Sequence, residues 1–128
     1  MHRYAYPSDP TGYMARRGLG ELKDRLPAHD IHEPTPLERV YVLLDREVCQ
    51  VKIGWTSRSV KVRQRDIEYA RGRKLELLGA MRGGRTLEKC LHARFSDYRS
   101  SHRSPEWFSS EILAEVIPML DEPNHAFA

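Results

Sequence analysis

Long apolar runs are absent from this sequence, and cysteine is scarce. No stretch approaches the roughly 18 consecutive apolar residues that a membrane-spanning helix requires. Mean hydropathy is -0.64, and 30% of the residues are charged. The first residues also lack the apolar segment of a secretory signal peptide. We therefore expect a soluble cytoplasmic protein that has no contact with a membrane.

The two cysteines, Cys49 and Cys90, lie far apart and match no metal-binding spacing. This excludes a fold organised by disulfides or by a zinc finger. We expect both cysteines to be reduced and to serve as small buried apolar residues. We also expect no small organic cofactor.

Positive charge is concentrated in the middle of the chain. Residues 37–108 contain 16 lysines and arginines against 9 aspartates and glutamates, whereas residues 109–128 contain no lysine or arginine and 4 acidic residues. A basic segment suits a polyanionic partner such as nucleic acid. An ordinary basic surface would have the same composition, so charge alone does not decide between the two.

Proline and glycine divide the chain into three parts. They interrupt the first 36 residues repeatedly, and such residues end regular structure. We interpret residues 1–36 as an irregular N-terminal arm, residues 37–120 as one folded domain and residues 121–128 as an acidic, flexible tail. A chain of 128 residues has room for one domain of this size.

Two strand-like segments begin the domain. Residues 40–44 are rich in strand-favouring side chains. In residues 48–53, apolar Val51 and Ile53 alternate with polar Lys52, which is the period of a half-buried strand. The short link between the segments predicts an antiparallel hairpin. Because the link has no Asn-Gly turn signal, the register is not determined by the sequence.

A helix and a third strand come next. Ser57 and Ser59 are candidate N-caps for a helix that runs to about residue 70, and Gly72 can close it. Residues 75–81 have the composition of a third strand.

Two further helices are predicted in the C-terminal part. Thr86 is the candidate cap of a helix over residues 87–98. A polar loop over residues 99–105 precedes a last amphipathic helix over residues 111–120, with Ser110 as its cap. The predicted order of elements is therefore β-β-α-β-α-α.

Five short motifs lie along the domain in a fixed order. They are VYV at residues 40–42, VKIGWTS at 51–57, an arginine at Arg63, LEKCLHARF at 87–95 and EWF at 106–108. With these motifs the sequence resembles the GIY-YIG endonuclease superfamily over about residues 39–108. It is most similar to the phage and bacterial members whose second motif reads Lys-Ile-Gly.

The resemblance implies an α/β fold of the α+β type, with a small three-stranded antiparallel sheet flanked by helices. It implies an endonuclease, that is, a phosphodiester hydrolase that cuts nucleic acid, and we expect DNA as the substrate. It implies a divalent metal cofactor, usually Mg²⁺ and alternatively Mn²⁺. Position by position, it implies that Tyr41 lies at the active site, that Arg63 contacts the phosphate and that Glu88 binds the metal.

The chemistry of these side chains fits the implied roles. One carboxylate suffices for Mg²⁺, because that ion keeps several waters and binds substrate phosphate oxygens. Glu88 can therefore be the metal ligand. Arg63 has the planar fork of donors that matches a phosphate. Without the resemblance, the favoured interpretation of Glu88 is a solvated carboxylate on a helix face, and Arg63 is one of several basic residues on its helix.

Tyr41 and two further residues are candidates for catalysis. Tyr41 would act as a general base only if its pKa fell well below the usual value of about 10. We expect Lys52, paired with Tyr41 across the hairpin, to be the cation that lowers this pKa. His92 lies one turn after Glu88 and would touch the scissile phosphate or order a metal-bound water. The alternative for His92 is a structural role.

Contacts with nucleic acid are predicted around the first helix. Trp55 is the candidate for stacking on a base. The basic residues Arg58, Lys61 and Arg65 are candidates for phosphate contacts.

Three functions remain open at this point. The leading hypothesis is a divalent-metal endonuclease that acts on DNA. The first alternative is a DNA-binding module that has the same fold and basic groove but little or no catalytic activity. The second is an interaction domain in which the motif residues only hold the hairpin together. The oligomeric state, the target specificity and the pathway are not specified by the sequence.

Overall fold

The computed structural model describes residues 34–101 and 104–124 of the chain. Most of the predicted N-terminal arm, residues 1–33, lies outside the described residues, as do the last four residues of the predicted acidic tail. No helix in the described ranges is long and apolar enough to cross a lipid bilayer.

The described residues form a six-stranded antiparallel sheet in the order β4-β5-β2-β1-β3-β6. Its strands are β1 (Arg39–Asp45), β2 (Gln50–Thr56), β3 (Glu76–Arg82), β4 (Arg99–Ser101), β5 (Ser104–Ser109) and β6 (Glu122–Pro123). The prediction of a small three-stranded sheet is therefore wrong. The predicted order β-β-α-β-α-α is also wrong, because two strands that were not predicted, β4 and β5, lie between the last two helices, and a third, β6, follows the last helix.

The three missed strands lie in the predicted polar loop, in the EWF motif after it and in the predicted C-terminal tail. β4 is 3 residues long and β6 is 2 residues long. Segments this short have no measurable apolar alternation. They become strands because a neighbouring strand offers hydrogen bonds, which is a tertiary effect that local sequence does not record.

β1 and β2 form the predicted hairpin, joined by a four-residue turn. The register pairs Tyr41 with Gly54 and Leu43 with Lys52. The expected pairing of Tyr41 with Lys52 is therefore wrong by two residues, although the two side chains share a face of the sheet. The turn contains Cys49, which is exposed and has a φ of 56°. The prediction that both cysteines are buried is therefore confirmed for Cys90 and wrong for Cys49.

Helix α1 (Val60–Arg71) begins and ends where the sequence predicted. Ser59 is its N-cap and accepts a hydrogen bond at Oγ from the backbone N–H of Val62, at 3.3 Å. Gly72 ends the helix with a φ of 79°, and its N–H donates to the carbonyl of Glu68 at 2.8 Å. Glycine adopts this left-handed conformation without the steric cost that a side chain would add.

Helix α2 (Arg85–Arg94) begins and ends earlier than predicted. Gly84 precedes it, while Thr86, the predicted cap, is buried inside the first turn. Glu88 lies in the first turn as well, and its backbone N–H donates to the Gly84 carbonyl at 3.0 Å. The chain leaves the helix through a 3₁₀ turn at Ser96–Tyr98.

The predicted last helix is divided into three short pieces. A 3₁₀ turn at Ser110–Ile112 leads into helix α3 (Leu113–Val116), and a second 3₁₀ turn follows at Ile117–Met119. Pro118 lies in the last piece and lacks the N–H that a continuing α-helix would use, so the regular helix ends before it.

Helices cover both faces of the sheet. On one face, Val60 and Ile67 of α1 pack against a cluster that includes Tyr41 and Trp107. On the other face, α2 and α3 pack against the larger apolar cluster. The central strands are therefore buried on both sides, and Lys52, expected on a solvated face, is only 6% exposed.

Candidate active site

The candidate site lies at the C-terminal end of β2, beyond the residues that pair with β5. β5 pairs with residues 50–52 of β2. Further along the strand, Gly54 faces Tyr41 of β1. Arg63 of α1 interacts with Tyr41, and His92 of α2 bonds to the carbonyl of Ile53, from opposite faces of the sheet. Side chains from the helices on both faces of the sheet therefore come close to this strand end.

Tyr41 occupies the centre of this site and is 1% exposed. The guanidinium of Arg63 interacts with its hydroxyl group and acts to lower its pKa. The ring lies directly over Gly54, so closely that a β-carbon at that position would collide with it. The glycine is required here for this close approach between the two strands.

The pKa of Tyr41 is raised above its ordinary value. Burial is the main cause, and the negative charges of Glu106 and Glu88 add to it, while Arg63 acts in the opposite direction. We expected the Lys52 ammonium to lower this pKa, and that prediction is wrong. The tyrosine is protonated at neutral pH, and its cationic neighbour is the helix arginine.

Glu106 of β5, which comes directly before the residues that pair with β2, interacts with the other groups of the site. Its carboxylate forms an ion pair and hydrogen bond with Lys52, and its charge also interacts with His92, Arg63 and Glu88. Burial acts to raise the pKa of Glu106, but the bond and charge of Lys52, followed by the charges of His92 and Arg63, hold this pKa below its usual value. Glu106 is therefore ionised at neutral pH.

Glu88, on the first turn of α2, is a half-buried carboxyl with a second carboxylate nearby. Burial and the charge of Glu106 raise the pKa of Glu88 to about 7, against the opposing charges of Lys52, Lys89 and Arg85. Two carboxyl groups therefore share one region, one ionised and the other titrating near neutrality. Tyr41 and Glu88, predicted to act together, interact electrostatically in the structure.

His92 ties helix α2 to strand β2. Its Nε2 is 2.8 Å from the carbonyl oxygen of Ile53, and its ring lies against Phe108 with 5.3 Å between centroids. Because a carbonyl oxygen only accepts, Nε2 carries the proton and Nδ1 has the lone pair. Burial lowers the pKa of His92 below its usual value, so the ring is neutral at pH 7. This arrangement suits the structural alternative for His92.

The two carboxylates fit a hard divalent cation of the magnesium type. Mg²⁺ is held by one or two protein carboxylates together with waters and substrate phosphates. A buried carboxyl whose pKa is raised beside a second carboxylate is a place where a cation would relieve the repulsion. Among the described residues, no cluster of three or more His, Cys, Asp or Glu side chains could hold a metal, and that is the ligand count a zinc site requires.

An open groove of about 350 Å³ lies beside α1 and reaches this site. It is lined by Trp55, Thr56, Ser57, Arg58, Val62, Arg63 and Asp66. Two predicted nucleic-acid contacts, Trp55 and Arg58, thus share a groove with the predicted phosphate ligand. The other two lie elsewhere: Lys61 is exposed outside the groove, and Arg65 lines a separate depression on the other side of α1.

A second cluster of charges anchors the far end of α1. Asp45 is 1% exposed, and its Oδ2 accepts hydrogen bonds from Nε of Arg71 at 2.7 Å and Nε of Arg73 at 2.8 Å. The Arg71 guanidinium also stacks on the Trp107 ring, 3.7 Å from its centroid. This cluster fixes α1 against β1 and so helps to determine where Arg63 stands.

Sequence reasoning missed the role of Glu106. The residue belongs to the EWF motif, so a signal was present, but that motif was used only to recognise a family. The interaction of Glu106 with Lys52 spans 54 positions of sequence and depends on the pairing of β5 with β2. Sequence reasoning also missed the anchoring cluster around Asp45, for which no local pattern exists.

Comparison with known protein families places most of the folded domain in one family. Residues 38–122 match the T5orf172 domain. No curated protein and no solved structure matches the chain significantly. The match is not to a GIY-YIG family, so the family membership that we predicted is wrong. The motifs behind that prediction are one to nine residues long and describe local features of a hairpin, two helices and one further strand, which was too little to identify a family. The matched region covers most of the chain, which therefore belongs to the T5orf172 domain family, a family associated with nuclease and DNA-binding functions.

Proposed function

We propose that this domain is an endonuclease that hydrolyses phosphodiester bonds in DNA with the help of a divalent metal ion. One observation carries the proposal. A phenol, a guanidinium and two carboxyl groups, from Tyr41, Arg63, Glu88 and Glu106, interact with one another at one strand end beside a groove.

Binding of the phosphate is assigned to Arg63. Its guanidinium lines the groove and interacts with the Tyr41 hydroxyl. A planar guanidinium has donors that match two oxygens of a phosphate. Arg58, in the same groove, adds positive charge for the neighbouring phosphate, and Trp55 offers an aromatic face to a base.

The carboxylates of Glu88 and Glu106 would hold the metal, which supplies Lewis-acid polarisation of the phosphate and lowers the pKa of a bound water when present. Lys52 keeps Glu106 ionised. In hydrolysis a water oxygen bonds to phosphorus and gives up a proton to the solvent, and the bond from phosphorus to the leaving sugar oxygen breaks. The leaving oxygen then needs a proton.

Tyr41 acts as a hydrogen-bond or proton donor in this proposal, since its raised pKa keeps the phenol protonated. This role replaces the general-base role that the sequence suggested. His92 serves to position α2, and with it Glu88, through the bond to β2.

The test is the cleavage of supercoiled plasmid DNA by the purified chain with Mg²⁺, with Mn²⁺ and with a chelator. Glu88→Gln is the test variant and Glu47→Gln the matched control, because Glu47 is an exposed glutamate in the β1–β2 turn. We expect metal-dependent cleavage by the wild type and by the control, and none by Glu88→Gln.

Glu88→Gln should fold normally, because it removes a charge that burial disfavours. Equal cleavage by Glu88→Gln and the wild type would overturn the assignment of Glu88. DNA binding without cleavage under any metal would overturn the enzyme and leave the DNA-binding module as the function.

A further inference from the structure

Helix α1 carries a second surface, on the side away from the sheet. Arg65, Glu68 and Tyr69 of the helix, with Arg73 and Lys74 just after it, line a shallow depression of about 320 Å³. Tyr69 is 91% exposed, the most of any large apolar side chain among the described residues. Val60 and Ile67, which pack on the sheet, lie on the opposite side of the same helix.

The charge of this surface is positive. Arg65 and Lys74 are exposed and form no ion pair within the part of the chain that the structure describes. Glu68 is the one acid in the lining, and its carboxylate is engaged by the backbone N–H of Leu75, at 2.8 Å. Arg73 forms an ion pair with the buried Asp45. Two unpaired cations therefore flank the tyrosine ring.

Folding does not account for the position of Tyr69. An aromatic ring contributes to stability when folding removes its surface from water, and the surface of this ring remains almost entirely exposed to water. An exposed aromatic between cations combines a stacking face with phosphate attraction, which is the combination that binds single-stranded nucleic acid. Duplex DNA offers its phosphates to such a surface but keeps its bases stacked inside, so the ring would have no partner.

We propose that the surface formed by Arg65, Tyr69 and Lys74 binds an unpaired segment of the nucleic acid, with a base on the Tyr69 ring and phosphates on the two cations. The inference rests on the proposed function and specifies its substrate class: a nucleic acid that is single-stranded next to the scissile bond. Arg63 and Tyr69 are six residues apart on one helix, or about 9 Å along its axis. A strand bound at Arg63 can therefore continue across the helix to this surface.

The test measures binding without cleavage. Fluorescence anisotropy of a labelled single-stranded DNA oligonucleotide is recorded with Glu88→Gln protein, and Tyr69→Ala is added to that background. Tyr98→Ala is the matched control, because Tyr98 is an exposed tyrosine on a different element, 45% exposed. We expect Tyr69→Ala to weaken single-strand binding about 10-fold. Tyr98→Ala should leave binding unchanged, and Tyr69→Trp should preserve it.

Duplex DNA of the same sequence separates stacking from charge. We expect Tyr69→Ala to change the affinity for duplex DNA less than about 2-fold. Arg65→Glu and Lys74→Glu should weaken the binding of both single-stranded and duplex DNA and reduce the salt dependence of binding. Equal loss for single strand and duplex, or no loss with Tyr69→Ala, would overturn the inference.

The outcome is distinguishable from failure of the nuclease proposal. If Glu88→Gln still cleaves DNA, the catalytic assignment fails, and the binding comparison is then made with a chelator in place of the metal. If Glu88→Gln is inactive but Tyr69→Ala binds single strands like its parent, only the inference about this surface fails.

Discussion

The aromatic ring of Tyr41 fills the space that a side chain at Gly54 would occupy. The two residues are direct partners across the β1–β2 hairpin. The absence of a β-carbon on one strand therefore determines where the phenol of the other strand lies, and the phenol in turn meets Arg63.

Gly54→Ala is expected to abolish cleavage. The new methyl group would overlap the Tyr41 ring, which is buried. Overpacking of this kind costs about 1–3 kcal/mol of unfolding free energy. Gly72→Ala is the control, because Gly72 has a φ of 79° and open space around it; it should lower stability and leave cleavage intact. Plasmid cleavage and thermal unfolding measure both, and wild-type cleavage by Gly54→Ala would refute the relationship.

The affinity for Mn²⁺ should rise as the pH increases through 7. The pKa of Glu88 is raised to about 7, so below that pH the carboxyl is protonated and a metal must displace the proton. Calorimetric titration of the wild type at several pH values measures this. Glu88→Gln should bind weakly at every pH, and Glu47→Gln should follow the wild type. An affinity independent of pH would count against Glu88 as the ligand.

Lys52→Met should shift the acidic limb of the pH–rate profile to higher pH. The lysine charge lowers the pKa of both Glu106 and Glu88, so without it both carboxyl groups ionise at higher pH. Methionine keeps the length of the buried side chain. Lys61→Met, on the exposed side of α1, is the control and should leave the profile unchanged. An unmoved acidic limb in Lys52→Met would remove the lysine from the site.

Asp45→Asn should lower the free energy of unfolding by about 3 kcal/mol, because it leaves two arginines beside a buried group without a charge to bind. Burial acts to raise the pKa of Asp45, but the bonds and charges of Arg71 and Arg73 hold it below its usual value. A depressed carboxyl pKa adds stability above the unfolded-state value of about 3.9, and the wild type should lose that stability as the pH falls through the folded-state pKa.

Urea unfolding at neutral and acidic pH measures this effect. Asp97→Asn, at an exposed position on the 3₁₀ turn, is the control and should change the unfolding free energy little. If Asp45→Asn were as stable as the wild type at neutral pH, the anchoring role of the cluster would be wrong.

Features encoded by neighbouring residues were predictable. Ser59 and Gly72 mark the ends of α1 through local capping chemistry, and both predictions are confirmed. The hairpin of β1 and β2 follows from two adjacent strand-like segments and is confirmed as well. These signals act over a few residues, which is the range that a single sequence records well.

Features that depend on distant partners were not predictable. β4, β5 and β6 exist because other strands pair with them. The pKa of Tyr41 is raised because the phenol is buried, an effect that outweighs the opposing charge of Arg63 and that depends on tertiary packing. Glu106 entered the site for the same reason, since only the pairing of β5 with β2 brings it next to Lys52.

The two outermost strands of the sheet are its shortest. β4 has 3 residues and β6 has 2, and they stand at the opposite ends of the strand order. An outer strand this short presents few unsatisfied N–H and C=O groups to another chain, which is a common protection of natural proteins against edge-to-edge aggregation. The minor strands at the rim thus help to keep copies of this domain from polymerising through their sheets at high concentration.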